Sequence, residues 1–309
     1  VKSKENIEKK DLPFPKVGVK LCVFEEAING CGGRDALRGL TTTDVCNKFL
    51  KPATSKYQNS FCELLQLAKS PNVGQANVFI SHAWRYVFLD VVDALQSHFK
   101  DEPDTYIWFD LFSNNQHLAG DLPFEWWATT FKSAIKDFGR VVMVLSPWNN
   151  PIPFTRAWCL FEVYSAVITE SDFEVAMCDS EREAFLEQIR GDNTVFLKML
   201  AAIDVKKSEA WNKDDLLRIK DVVEKEVGFQ QVNMMVKGKM RDWVDATLKA
   251  SVEQTKGGTL NKKDINQKMS YAFNLKDTGK YEEALKLYQE CLEEYTELEG
   301  EKSLGVAQI

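Results

Sequence analysis

The stretch Asn77-Val78-Phe79-Ile80-Ser81-His82-Ala83-Trp84 reads as an apolar β-strand that ends in small and polar residues. The apolar run that begins it is typical of a strand covered on both faces of a sheet. Apolar residues then recur at helical spacing between Phe88 and Phe99. A buried strand followed by an amphipathic helix is the repeating unit of parallel α/β sheets, so this stretch decides the fold class.

The same alternation continues along the chain. Further strands are predicted at residues 106–110, 141–145 and 173–178, and helices at residues 124–138 and around Trp158. Strands that alternate with helices predict a parallel sheet with right-handed crossovers. Ligands of such sheets bind beyond the carboxyl ends of the strands. We therefore expect Ser81, Asp110 and the loop before Trp158 to converge at that edge.

The segment Arg156-Ala157-Trp158-Cys159-Leu160-Phe161-Glu162 carries the candidate chemistry. Trp158 and Glu162 stand four residues apart, which places both side chains on one face of a helix. This spacing also fits a core tryptophan followed by a solvated glutamate, a common pair on amphipathic helices. A flat aromatic surface beside a carboxylate, at the carboxyl end of a parallel strand, suits an aromatic or ribosyl ligand.

Four blocks of the sequence, in order across residues 77–180, resemble the TIR domain. The blocks are Phe79-Ile80-Ser81 (first strand), Trp108-Phe109-Asp110 (second strand, leading into the BB loop), Val144-Leu145-Ser146-Pro147 (third strand) and Trp158-Cys159-Leu160-Phe161-Glu162 (the helix with the catalytic glutamate of NAD-cleaving members). The resemblance implies a flavodoxin-like parallel sheet flanked by helices, with Glu162 as the catalytic residue. The nucleotide-contacting residues expected around it are Trp158, Ser81, His82, Trp84, Asp110 and Cys159.

Two loops depart from the family pattern. His82-Ala83-Trp84-Arg85 stands where many TIR domains carry aromatic and arginine residues. Asn114-Asn115-Gln116-His117 replaces the usual charged stretch of the BB loop, which we expect to be a long polar loop over residues 111–123. The resemblance therefore defines the nucleotide contacts of these two loops less well than it defines the catalytic role of Glu162.

The resemblance implies an NAD+ glycohydrolase that releases nicotinamide and forms ADP-ribose or cyclic ADP-ribose, with NAD+ as substrate and no permanently bound cofactor. Nicotinamide leaves the cationic pyridinium as a neutral base, so no general acid is needed, and one carboxylate can stabilise the oxocarbenium-like ribosyl centre. In this family the site is completed by a neighbouring protomer, so self-association is expected to activate the enzyme.

Two other functions fit the same resemblance. A non-enzymatic signalling adaptor would keep the TIR fold and act only through TIR–TIR contacts. The presence of Glu162 favours the enzyme, whereas the altered first-strand and BB loops favour the adaptor. A sensor that binds NAD metabolites without cleaving them is the third possibility.

Residues 259–309 resemble the start of a tetratricopeptide (TPR) array of the kinesin-light-chain type. The positions that fit are Tyr271, Ala272, Leu275, Gly279, Tyr281, Ala284, Leu285, Tyr288 and Leu292. Gly279 permits a tight turn between two helices, and Ala284 lets them approach closely. An isolated helical hairpin that closes the TIR-like domain is the alternative.

One repeat of this kind cannot bury its own apolar face. The residues expected on that face are Leu287, Tyr288, Leu292 and Tyr295. We therefore expect the array to continue beyond Ile309 and to bind a protein or peptide partner, as a sensor or assembly module.

These patterns divide the chain into four segments. They are an N-terminal extension that packs on the core (residues 1–76), the TIR-like domain (77–205), a helical bridge (206–258) and the TPR segment (259–309). Lys256-Gly257-Gly258 is the predicted linker, and residues 1–10 are charged and expected to fray.

Composition narrows the function classes. A net charge of −7 without a basic stripe argues against nucleic-acid binding. The seven cysteines form no CxxC pair and predict reduced thiols in the cytoplasm, without a disulfide framework. No apolar run approaches the roughly 20 residues of a membrane span. The three histidines lack metal-ligand spacing, so no metal site is expected, and neither a phosphate-binding P-loop nor a GxGxxG motif is present.

Overall fold

A computed structural model describes residues 13–149, 151–191, 194–254 and 261–299. The chain forms two compact units, one of residues 1–181 with 203–236, the other of residues 182–202 with 237–309. The segment boundaries predicted at 205/206 and 258/259 stay predictions. The predicted linker at Lys256-Gly257-Gly258 and the predicted frayed residues 1–10 lie outside the described residues.

Within the described residues, one sheet of six strands forms the centre of the first unit, in the order β2-β1-β4-β3-β5-β6. The strands are β1 (Val17–Val19), β2 (Val73–Gln75), β3 (Val78–Ser81), β4 (Ile107–Trp108), β5 (Arg140–Val144) and β6 (Asp172–Ala176). The last four are parallel to one another and occupy the segments in which strands were predicted. Their spatial order, second-first-third-fourth along the chain, is that of the first four strands in doubly wound sheets of the flavodoxin type.

The sheet differs from the purely parallel one that we predicted, because residues before Asn77 extend it. Strand β1 lies between β2 and β4 and is antiparallel to both. Gly18 makes this insertion possible, since a Cβ atom there would lie 2.5 Å from the carbonyl oxygen of Ile107. The N-terminal extension therefore contributes two strands to the sheet itself as well as helices on its surface.

The helices follow the predicted pattern closely. They are α1 (Cys22–Gly30), α2 (Thr42–Val45), α3 (Lys51–Thr54), α4 (Phe61–Leu67), α5 (Phe88–His98), α6 (Asp110–Ser113), α7 (Phe124–Phe138), α8 (Ala157–Ile168), α9 (Asp179–Gly191), α10 (Thr194–Ala201), α11 (Lys213–Glu226), α12 (Phe229–Gln254), α13 (Lys262–Asp277) and α14 (Tyr281–Glu299). Helix α7 has the predicted bounds and ends where Gly139 takes a left-handed conformation. The predicted long polar loop at residues 111–123 is wrong in part, because its start is helical in α6 and residues 119–121 form a 3-10 turn.

Side-chain alternation along the strands separates two apolar layers. One face carries Val78, Ile80 and Ile107 and packs against α1 and α5. The other face carries Phe79, Trp108 and Val141 and packs against α7 and α8. Ser81 lies two residues beyond Phe79 in the same strand and so continues the face that α8 covers, whereas Asp110 lies beyond β4 as the first residue of α6.

Helices α13 and α14 form a hairpin in the second unit, with Gly279 at the turn in a left-handed conformation (φ +81°). Ile265, Cys291 and Tyr295 are buried inside it. Tyr295 was expected on an exposed apolar face, but its hydroxyl donates a hydrogen bond to Oδ1 of Asn266 at 2.7 Å. The large apolar residues that α14 exposes are Tyr281, Leu285, Leu292 and Leu298.

None of the helices in the described ranges combines the length and the apolar character needed to cross a membrane.

The insertion of β1 can be tested by Gly18→Ala, with Gly30→Ala as the matched control. A methyl group at residue 18 would clash with the backbone of Ile107. The free energy of unfolding should therefore fall by about 1–3 kcal/mol. A methyl group at Gly30 would have no heavy atom within 4 Å, so alanine there should be tolerated within roughly 0.5 kcal/mol. Chemical denaturation measures both, and equal effects at the two glycines would contradict the observed position of β1.

Candidate functional site

Ser81 and Glu162 meet at the carboxyl edge of the sheet. Ser81 is the last residue of β3, and its hydroxyl donates a hydrogen bond of 2.5 Å to Oε2 of Glu162. Glu162 comes from the second turn of α8 and is only 9% exposed, while Ser81 is fully buried. The edge lies where the order of the parallel strands reverses around β3, the position at which such sheets bind ligands.

The start of α8 is fixed by backbone pairing. Arg156 has an extended conformation just before the helix. The amide of Ala157 donates to the carbonyl oxygen of Glu209 at 2.9 Å, and the amide of Glu209 donates to that of Thr155 at 2.8 Å. This pairing sets which turn of α8 faces β3, and so which side chain reaches Ser81.

The pKa of Glu162 is raised to about 8, mainly by burial; the hydrogen bond from Ser81 opposes this shift, and the nearby Asp110 adds a smaller upward effect. The group is therefore mostly protonated at neutral pH in this arrangement. A positive charge placed beside it would favour ionisation, because opposite charges stabilise each other strongly where water is excluded.

Asp110 anchors the loop that follows β4. Its Oδ2 accepts a hydrogen bond from Nε1 of Trp84 at 2.8 Å, and its Oδ1 accepts one from Nδ2 of Asn114. Burial raises the pKa of Asp110, and the hydrogen bonds from Asn114, Trp84 and Gln116 oppose that shift. Since both of its oxygens accept hydrogen bonds, Asp110 holds its loop in place.

His82 does not face Glu162. Its ring continues the opposite face of the sheet and stacks on Phe109 with ring centroids 4.5 Å apart. Burial lowers the pKa of His82 to about 3, so the imidazole is neutral. Its Nε2 atom is buried and has no hydrogen-bond partner among the described residues. His82 was predicted to contact the nucleotide, and the structure instead places its ring in an apolar layer.

Cys159 is buried one turn before Glu162, and its thiol donates a hydrogen bond to the carbonyl oxygen of His82 at 3.7 Å. Burial, and then the neighbouring Glu162, raise the pKa of this thiol well above its usual range. A thiol held protonated in this way is a poor nucleophile. Cys159 therefore ties α8 to the end of β3.

Trp158 packs between helices. Its ring contacts those of Phe124, Phe131 and Phe161, with centroids 5.7, 5.5 and 6.1 Å away. Burial raises the pKa of Asp215, and a hydrogen bond from Trp158 opposes that shift, so the indole also reaches α11. The side chain stays partly exposed. Its predicted stacking on a dinucleotide remains a prediction beside this packing role.

The structure brings Ser81, Trp84, Asp110 and Glu162 together, and it adds two residues that were not predicted. Asn114 donates to the Asp110 side chain, and Gln116 donates to the Asp110 carbonyl oxygen at 2.8 Å. The sequence signal for both is a run of amides soon after a buried acid, which a comparison with the usual BB loop does not single out.

The chain was also compared with known proteins: it matches no family model, no curated protein and no solved structure. In the part of the chain that the structure describes, no group of three or more His, Cys, Asp and Glu side chains is arranged to hold a metal ion. All seven cysteines are free thiols. The fold and site together define an α/β protein whose parallel strands end near a buried Ser81–Glu162 pair and the half-buried Asp110.

The raised pKa of Glu162, which burial causes, predicts a pH-dependent stability. The folded protein holds this proton more tightly than the unfolded chain, whose glutamate has a pKa near 4.5. The stability that this tightly held proton gives to the folded protein is therefore fully present below pH 4.5 and is lost as the pH rises to about 8. Since one pKa unit corresponds to roughly 1.4 kcal/mol, the total loss is several kcal/mol at most.

The matched variant is Glu162→Gln, which keeps a hydrogen-bond acceptor for Ser81 and cannot titrate. Its free energy of unfolding, measured by denaturation between pH 5 and 9, should increase relative to that of the natural protein as the pH rises. Two parallel pH profiles would show that Glu162 titrates normally in the folded state.

Proposed function

We propose that the chain is an NAD+ glycohydrolase that cleaves NAD+ to nicotinamide and ADP-ribose, in linear or cyclic form. The observation that carries the proposal is the Glu162 carboxyl group, hydrogen-bonded to Ser81 at 2.5 Å and buried at the carboxyl edge of the sheet. A buried carboxyl group with a strongly raised pKa near a second acid is typical of functional sites.

The proposed chemistry uses the charge of Glu162. The pyridinium of NAD+ would draw the carboxyl group into its ionised form, because the cation offsets the cost of burying a negative charge. As nicotinamide leaves, positive charge moves onto the ribosyl carbon, where the Glu162 carboxylate stabilises it. Ser81 fixes the orientation of that carboxylate, and Asp110 adds negative potential nearby. Water or an internal adenine nitrogen then attacks the ribosyl carbon.

The rest of the proposal follows the two sequence resemblances. Residues 77–205 act as a TIR-like domain, which the observed strand order supports. Residues 259–309 act as a TPR-like module that binds a protein or peptide and sets self-association, which the α13–α14 hairpin and its Gly279 turn support. The seven free thiols support a reducing compartment, the cytoplasm.

A second candidate is a non-enzymatic adaptor that acts through TIR–TIR contacts. Two observations favour it: Glu162 is only 9% exposed, and the Trp158 ring is engaged with Phe124 and Phe131. Both residues then serve the packing of α8. The same measurement of NAD+ cleavage separates the two functions.

Purified protein incubated with NAD+ should release nicotinamide, and Glu162→Gln should reduce the rate at least about a hundredfold, since one preorganised charge is lost. The control Glu183→Gln removes an exposed charge and should leave the rate unchanged. Full activity in a folded Glu162→Gln protein would remove the basis of the enzyme assignment. No release by the natural protein at any concentration favours the adaptor.

The same assay has an expected pH profile. Because burial raises the pKa of Glu162 to about 8, kcat/KM should rise with pH until about pH 8 and then level off. The ionised carboxylate is the active form, and the profile of the free enzyme reports its titration. A rate that is flat between pH 6 and 9 would point to a different active group.

Activity per molecule should rise with protein concentration if a partner protomer completes the site, since local concentration then controls the rate. The exposed apolar residues Leu285 and Leu292 of α14 offer a contact for assembly. Replacing both with lysine should weaken the concentration dependence, whereas Leu217→Lys, at an exposed residue of α11, should not. Nicotinamide release over about a hundredfold dilution measures this, and a flat curve would mean that the site is complete in one chain.

A further inference from the structure

Helix α14 carries an exposed stripe of large apolar side chains. Tyr281, Leu285, Tyr288 and Leu292 follow one another at intervals of four, three and four residues, so they lie along one face of the helix. Tyr281, Leu285 and Leu292 are 69%, 60% and 40% exposed, and Tyr288 is half-buried. Large apolar side chains in a row on one helix face indicate a surface that packs against another chain.

The same helix is strongly acidic. It contains seven glutamates and one lysine. Two of the glutamates pair with lysines of α13, whereas the other five form no ion pair with any residue that the structure describes. Of these five, Glu282 and Glu293 are exposed and border the stripe on one side, about three helical turns apart. Two α14 helices placed face to face would repel each other, so the stripe fits a basic surface.

Helix α12 presents a basic face in the same unit of the chain. Lys237 and Arg241 stand four residues apart on one side of this helix, and Gly238 lies between them on the same side. Arg241 is exposed and Lys237 is half-buried, and within the described ranges neither forms an ion pair. A Cβ atom at Gly238 would have no heavy atom within 4 Å, so the helix surface beside the two cations is open.

The side chains of the two faces complement each other. The aliphatic stems of lysine and arginine can cover apolar side chains while their charged ends reach an acidic border. The guanidinium of Arg241 can stack on the exposed ring of Tyr281, a favourable cation–π contact. Gly238 has no side chain and leaves room for a leucine of the stripe. The basic face of α12 therefore offers what the α14 stripe lacks in both charge and shape.

The two faces are neighbours in each chain. Nζ of Lys280, the residue before α14, lies 2.5 Å from Oδ2 of Asp245, which follows Arg241 by about one turn of α12. Nδ2 of Asn274 donates to Oδ1 of the same Asp245 at 3.2 Å. The start of α14 is thus fixed beside the basic face. With the two faces adjacent, a two-fold axis between two copies can bring each α14 against the other copy's α12, which closes the assembly with two equal contacts.

We propose that the chain forms a two-fold dimer in which the α14 stripe of each copy packs on the basic face of α12 in the other copy. Glu282 and Glu293 pair with the cations of that face and set the alignment of the two helices. The inference deepens the self-association in the proposed function, and it rests on that function only for the effect of the dimer on activity. Neither surface includes Ser81 or Glu162, so the dimer can be tested without NAD+ cleavage.

Two charge reversals test the pairing. One variant carries Lys237→Glu with Arg241→Glu, and the other carries Glu282→Lys with Glu293→Lys. Each variant alone sets like charges against each other at both contacts, so its dimer dissociation constant should rise about tenfold or more. An equal mixture of the two should form a mixed dimer, because a reversed face then meets a reversed face and a natural face meets a natural one.

The measurement is sedimentation equilibrium of the whole chain, with the melting temperature of each variant as the check on folding. The matched control is Lys100→Glu with Lys213→Glu, which reverses two exposed lysines of the first unit and should leave the dimer unchanged. The dissociation constant of the natural dimer should rise with NaCl concentration, because salt screens charges at the border of the contact. If a double variant is unstable, Arg241→Glu and Glu293→Lys as single variants give the same crossed test.

A natural chain that stays monomeric at every concentration would overturn the dimer and leave the α14 stripe to another partner. A dimer that survives both reversals, or a mixture of folded variants that stays monomeric, would overturn the pairing of α14 with α12. The proposed enzyme fails separately: a dimer that forms as described without NAD+ cleavage refutes the enzyme alone, and a monomer that cleaves NAD+ refutes the dimer alone.

Discussion

The hydrogen bond between Ser81 and Glu162 is the contact on which the rest of this site depends. It joins the last residue of β3 to the second turn of α8, and it holds a carboxyl group where little water reaches. Burying an ionisable group costs free energy that an apolar side chain in the same place would not. The buried carboxyl group lies at the edge where parallel sheets bind ligands. A functional role of Glu162 would explain why a charged residue type is buried there.

An aromatic layer beneath the site makes its geometry rigid. The rings of Phe79 and Trp108 are stacked with centroids 4.6 Å apart, and Phe14 stacks on the other side of Trp108 at 5.2 Å. Nε1 of Trp108 donates to the carbonyl oxygen of Pro15 at 2.7 Å, so the chain before β1 is fixed to the same layer. Ser81 lies two residues beyond Phe79 and Asp110 two beyond Trp108, so this stacking packs together the two strands that lead to these polar residues.

The N-terminal extension adds to the sheet and contacts the loops at its carboxyl edge. It supplies two strands at one side of the sheet, part of the apolar core, and residues 41–62, which bond to the loops after β3 and β4. A site built from β3, β4 and α8 alone would have free loops. Here each loop residue that touches Asp110 belongs to a segment whose backbone or neighbour is bonded to residues 41–62.

The sequence by itself determined the elements that depend on local periodicity: the four parallel strands, helix α7 and the turn at Gly279. It also indicated that Ser81 and Asp110 follow strands at the same edge of the sheet, because parallel strands end at one edge. Other features were decided only by the tertiary structure. Strand β1 is three residues long and owes its place to the close approach that Gly18 allows. The ring of His82 stacks on Phe109, a residue that follows a different strand. Trp158 and residues 41–62 are placed by contacts with residues distant in the chain, and no local pattern encodes such contacts.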